Sequence, residues 1–147
     1  TGALASSLIG FLAVVQPGDY VALLPYLPAT PQHEAAMAAL ATRVRSRVRA
    51  PVTVNLGPRY LHSTGQLHKG GPATGVFVII TASADSDIAI PGEAFGFGQL
   101  NLAQAEGDYR VLAGLDRRVI RVHLSCPTDI GLTKLSACLE TDAMASG

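Results

Sequence analysis

Apolar residues return at Leu4, Leu8, Phe11, Leu12 and Val15, the three-and-four spacing of one helix face, before Gln16-Pro17-Gly18-Asp19 breaks the pattern. A helix over residues 3–15 is expected. Asp19-Tyr20-Val21-Ala22-Leu23-Leu24-Pro25-Tyr26-Leu27 is a continuous apolar run ending among prolines, which fits a strand buried on both faces better than one with a wet side. Thr30-Pro31 then supplies an N-cap with proline at the first helical position. Glu34 lies in the first turn, and Ala35 to Val48 is rich in helix formers. Pro51 to Gly57 and Gly75 to Thr81 read as the second and third strands. Ala103 to Leu115 reads as a helix and Arg118 to Leu124 as a fourth strand. Thr128 or Asp129 caps a last helix to about Glu140, leaving residues 141–147 as a polar tail. Strands alternating with helices across short loops predict a three-layer α/β fold: a doubly wound parallel sheet of about four strands with helices on both faces.

The chain has 147 residues, 48% of them hydrophobic, enough for one ordinary core and too few for two. Eleven basic residues balance eleven acidic ones, so no chain-wide field favours nucleic acid or an anionic membrane. Arg43, Arg45, Arg47 and Arg49 fall at two-residue spacing, which spreads them around a helix end instead of aligning them. The apolar stretch Leu8 to Val15 is far shorter than the roughly 18–20 residues a spanning helix needs, and no basic segment precedes it. A soluble, cytoplasmic protein is expected, and the start at Thr1 reads as a domain cut. Cys126 and Cys138 match no CxxC or metal spacing and are expected to be reduced thiols.

Open parallel sheets bind ligands beyond the carboxyl ends of their strands. Strand two leads there into Gly57-Pro58-Arg59-Tyr60-Leu61-His62-Ser63-Thr64-Gly65-Gln66-Leu67-His68-Lys69-Gly70-Gly71-Pro72, a polar segment in an otherwise apolar chain. If His62 starts a short helix, Gln66 lies on its face and His68 and Lys69 lie close to two turns on. An imidazole suits proton transfer at a sugar hydroxyl or ring oxygen, and Lys or Arg suits a phosphate or an enolate oxygen. The bland alternative is that His62 caps the helix or pairs with a carbonyl. His62 and His68 lack a third ligand at zinc spacing, so no metal site is expected. Neither GxxxxGK[ST] nor GxGxxG occurs at a strand-to-helix turn, and Ser63 has no GxSxG context. Gly96-Phe97-Gly98 could offer amides to an anion at a helix N-terminus, or be only a flexible loop leading into that helix. His33 reads as a surface residue of a first turn. His123 reads as a structural residue, though at the ligand edge.

The run GPRYLHSTGQLHKGGPATGVF, with IPGEAFGFGQLNLAQAEGDYRVL and RRVIRVHL after it, resembles the C-terminal sugar-isomerase (SIS) half of phosphoglucose isomerase. It looks most like the form fused behind transaldolase in bacterial bifunctional proteins, and the similarity runs from about Gly18 to Leu124. His62-Ser63-Thr64-Gly65-Gln66-Leu67 matches the family motif H-x-x-x-Q-L. The resemblance implies an SIS, flavodoxin-like fold and isomerisation between glucose 6-phosphate and fructose 6-phosphate without metal or cofactor. It gives His62 the ring-opening role and Gln66 a place in the same pocket. Lys69 and Arg59, with Ser63, Thr64 and His68 beside them, are the expected substrate-binding residues. In the family that histidine serves the neighbouring subunit, which implies a homodimer, covering the Leu4–Val15 helix if it lies exposed. The expected partners are a phosphosugar, a second copy or an N-terminal isomerase or transaldolase domain.

The departures are specific. The family's proton-shuttling glutamate lies on the helix after the strand matching Val21–Tyr26. Here that helix offers only Glu34, much nearer the strand than the family's base, so Glu34 stands as a poor candidate for it. The family's lysine motif has no counterpart after Phe95, and neither Lys69 nor Lys134 sits at a matching position. The half that supplies the Ser/Thr phosphate cradle is absent from these residues. A non-catalytic SIS module that binds a phosphosugar, or only docks a partner domain, is the rival expectation.

Overall fold

The computed structural model describes residues 2–83, 87–125 and 127–144. The punctuation read from the sequence falls where the chain turns: α1 (Gly2–Leu12) gives way to a turn in which Gly18 takes a φ of +91°, and β1 (Tyr20–Tyr26) follows. Thr30 caps α2 (Pro31–Val48) by accepting from the His33 amide at 3.2 Å, with Pro31 opening the helix. Arg49 closes that helix in the left-handed region, its amide bonded to the Arg45 carbonyl. The remaining elements are β2 (Val52–Val54), a 3₁₀ turn (Arg59–His62), α3 (Thr64–Gly70), β3 (Gly75–Ala82), α4 (Phe97–Gly114), β4 (Arg118–Leu124) and α5 (Thr128–Met144).

All four strands are parallel in the order β2-β1-β3-β4. This is the doubly wound, flavodoxin-like arrangement expected from the alternation of elements. Period two along the central strands divides their side chains between two cores. Val21 and Leu23 of β1, Val76, Val78 and Ile80 of β3, and Val122 and Leu124 of β4 face α1, α2 and α5. Ala22, Leu24 and Tyr26 with Phe77 and Ile79 face the other way, against Tyr60 and the Ala105–Leu112 side of α4. The two central strands are therefore apolar throughout, while the edges are a three-residue β2 and a β4 carrying Arg118 and Arg121.

Three expectations change. Leu8 and Leu12 of α1 are buried against the first core, so that helix is not the open apolar face a dimer was expected to cover. α5 continues to Met144, so a good part of the expected polar tail is helical. α4 starts six residues before Ala103, for a reason given below. Cys138 is a half-buried free thiol, and Cys126 lies outside the described residues.

A bidentate pair ties the amino ends of β1 and β4. Arg118 donates to both carboxylate oxygens of Asp19 at 2.6 and 2.8 Å, and to the Ala73 carbonyl at 3.0 Å. Asp19 also accepts from the Gln16 amide at 2.7 Å. The guanidinium beside it holds the buried Asp19 carboxyl below the usual carboxylate range. The unfolded chain then binds the proton more tightly, so this stabilisation is complete above a pH of about 4 and fades as pH falls through the folded value. Asp19→Asn is expected to cost about 1–3 kcal/mol at pH 7. Urea unfolding checks this: the gap between variant and parent should narrow by pH 3, and an unchanging gap would sink the assignment.

Candidate functional site

The polar segment after β2 folds as two helical pieces with a break between them. Gly57 makes the approach possible, because a Cβ there would lie 2.6 Å from the Tyr26 ring. The 3₁₀ turn ends at His62, and Ser63 takes φ −137° and ψ −100°, outside helical geometry, before α3 begins at Thr64. The expectation that His62 opens a helix with Gln66 on its face is corrected: the two residues stand on different elements. The Ser63 amide closes the 3₁₀ turn on the Tyr60 carbonyl at 3.0 Å, which ends that turn before α3 can extend it.

The inward face of this segment is a buried polar network. Tyr60 donates its hydroxyl to Asp108 Oδ2 and lies 3.2 Å from the Tyr26 hydroxyl. Lys69 Nζ pairs with Asp108 Oδ1 at 2.8 Å, and Tyr20 Oη meets His68 Nδ1 at 2.9 Å. Arg117 donates to the carbonyls of Lys69 and Gly71 at 2.9 and 2.7 Å. The His68 ring packs edge-on to Phe77, with centroids 4.9 Å apart. Burial raises the Tyr26 phenol to about 12 and pushes up Tyr20 and, with the Asp108 hydrogen bond, Tyr60. Burial likewise shifts the His68 ring downward from the usual imidazole range. The structure thus places two expected substrate-binding residues on this inward face: His68 is buried against aromatic rings, and Lys69 pairs with Asp108.

The outward face carries the rest. Arg59, His62, Ser63, Thr64 and Gln66 are all exposed, and the His62 ring makes no hydrogen bond among the described residues. Glu34 is exposed on the first turn of α2, where it lines a separate groove of about 250 Å³ with Met37 and Leu56. The structure does not bring Glu34 and His62 into one pocket.

A larger cavity of about 650 Å³ lies beyond the carboxyl ends of β1 and β3, the point at which the strand order reverses. Its polar lining includes His33, Ser83, Asn101, Gln104 and Asp129, and no Lys or Arg lines it among the described residues. None of the residues from His62 to Lys69 reaches it. His33 is more than a surface residue, since its Nδ1 lies 2.9 Å from the Pro28 carbonyl at the cavity wall. His123 is held through both ring nitrogens, by Thr81 Oγ1 at 2.9 Å and Ser83 Oγ at 3.1 Å. Among the described residues, no three His, Cys, Asp or Glu side chains gather as a metal site would require.

Of the Gly96-Phe97-Gly98 stretch, the Gly98 amide meets an anion, and it belongs to the chain, while the Phe97 amide donates to the Ile88 carbonyl. Asp87 accepts from the Gly98 amide at 2.6 Å and the Gln99 amide at 3.1 Å, capping α4 from eleven residues upstream. A Cβ on Gly96 would fall 2.4 Å from the Asp87 carboxyl carbon, so the glycine is required by the cap. Asp87→Ala is expected to lower stability by about 1 kcal/mol, with Asp87→Asn between it and the parent. Thermal melts of the three proteins check this; equal midpoints would show that the cap contributes nothing.

No family model and no curated protein matches the chain. Among solved structures, the hypothetical protein TT0462 from Thermus thermophilus superimposes with a TM-score of 0.73 over 95% of this chain at 22% sequence identity. The chain spans 38% of the length of that protein. The likeness establishes the three-layer α/β fold and nothing further. No helix among the described residues is long and apolar enough to cross a membrane.

Proposed function

We propose that the chain is the C-terminal sugar-isomerase lobe of a phosphoglucose isomerase, contributing to the interconversion of glucose 6-phosphate and fructose 6-phosphate. The observation that carries this reading is the placement of His62: an exposed imidazole with no hydrogen bond among the described residues, on a segment anchored from beneath by Asp108, Tyr26 and Arg117. His62 also lies outside the lining of the chain's own cavity, which suits a residue offered to a site completed by a second copy or another lobe. The exposed Ile88, Phe97 and Leu100 at the cavity rim are apolar surface that such a lobe would cover.

In the mechanism this implies, His62 takes the proton of the anomeric hydroxyl and delivers it to the ring oxygen O5 as the C1–O5 bond breaks, giving the open-chain aldose. A carboxylate then removes the C2 proton and returns it to C1 through an enediol, with cations or amides steadying the developing oxygen charge. Glu34, on its separate groove, is not beside His62, so this reading does not assign it the base. No Lys or Arg lines the cavity among the described residues, so this reading assigns the phosphate to the other half of the site.

A coupled assay for fructose 6-phosphate formation from glucose 6-phosphate by the whole protein tests the reading. Turnover well above the uncatalysed rate is expected, and its absence overturns the isomerase assignment. Heat on titration with a sugar-phosphate analogue, without turnover, would instead support a non-catalytic binding module.

A further inference from the structure

We infer that Asp108 is the positioning residue for His62, an inference that rests on the isomerase reading for its role in turnover. Asp108 sits on α4 on the same face as Ala105 and Leu112, with 3% of its surface exposed. An apolar residue would satisfy the packing of that face, and an ionised carboxylate there is costly unless it is fully paired. Its two oxygens take one group from each side of the break at Ser63. Oδ2 holds Tyr60 of the 3₁₀ turn, and Oδ1 holds Lys69 of α3.

His62 lies between those two anchors, beside the residue whose backbone is helical in neither sense. Its ring has no hydrogen bond of its own among the described residues, so the backbone sets the point from which the ring reaches out. The angle between the two helical pieces is in turn set where both are fastened to one carboxylate. The hydrogen bonds of Tyr26, Arg117 and Tyr20 hold one piece each, and a further contact across the break is the packing of the Tyr60 and His68 rings, 5.9 Å between centroids. Proton transfer to a sugar oxygen requires the ring within hydrogen-bond reach, and a displacement of about 1 Å can cost on the order of a hundredfold.

The test compares kcat and KM of the whole protein with those of Asp108→Asn, Lys69→Met and Lys69→Arg, each well below its unfolding midpoint. For Asp108→Asn and Lys69→Met, kcat should fall by about tenfold or more with KM within about twofold. Lys69→Arg keeps the ion pair and should restore kcat. Folded Asp108→Asn and Lys69→Met proteins with parental kcat would overturn the inference, and Lys69→Met keeps the test open if Asp108→Asn fails to fold. A second readout needs no activity: in ring carbon–proton NMR spectra, Lys69→Met should shift the His62 resonance and leave those of His33 and His123 in place. A parental protein without turnover would remove the isomerase reading, while an unmoved His62 resonance would remove the positioning role.

Discussion

Replacing His62 with alanine in the whole protein should lower kcat/KM for glucose 6-phosphate by about 10²–10⁴-fold and leave the unfolding midpoint unchanged. Each tenfold loss corresponds to about 1.36 kcal/mol of transition-state stabilisation, so the expected loss is roughly 2.7–5.5 kcal/mol. The stability half of the prediction follows from the exposure of the ring and its want of a bonded partner among the described residues. A surface change of this kind normally moves stability by no more than about 0.5 kcal/mol. The two halves together make the test discriminating, because damage to the fold would move both quantities. If ring opening is the step lost, a substrate supplied in open-chain form should recover much of the rate, since the later proton transfer does not use His62. Turnover of the variant within a few-fold of the parent would remove His62 from the mechanism.

β1 and β3 were legible in the sequence because they are buried on both faces and so read as unbroken apolar runs, whereas the strand expected over Pro51 to Gly57 is only Val52–Val54, with two of its three residues exposed. The start of α2 was legible because its cap is local: Thr30, Pro31 and the His33 amide lie within four residues. The start of α4 was not, because its capping carboxylate, Asp87, comes from a loop well upstream of the helix it caps. The same distance effect separates the two faces of the polar segment. His62, Lys69 and His68 look equivalent as residue types, and what sorts them is Asp108, forty residues downstream, together with Tyr20 on β1. Asp108 did leave a trace in the sequence. It stands with Ala105 and Leu112 on the apolar face of its helix, where a carboxylate needs a buried partner.

Asp108→Ala is the substitution expected to cost the fold most, about 2–4 kcal/mol. The variant strips Tyr60 of its carboxylate acceptor in a buried setting, leaving that hydroxyl only the Tyr26 oxygen at 3.2 Å. It also leaves the Lys69 ammonium without its counter-charge. Because 28% of the Lys69 side chain is exposed, that ammonium can turn toward water, which keeps the cost below the roughly 5 kcal/mol upper end for a broken buried pair. The cost should therefore depend on what the partners are. Adding Tyr60→Phe and Lys69→Met to Asp108→Leu removes the groups that Asp108→Ala strands on Tyr60 and Lys69, leaving the Tyr26 hydroxyl without its Tyr60 partner, and an apolar replacement of a buried ion pair is often close to neutral. The triple variant is thus expected to be more stable than Asp108→Ala although it carries two further substitutions. Denaturant unfolding with an unchanged slope measures both differences. A loss below about 1 kcal/mol in Asp108→Ala, or a triple variant weaker than it, would mean that the carboxylate is not what fastens the His62 segment to α4.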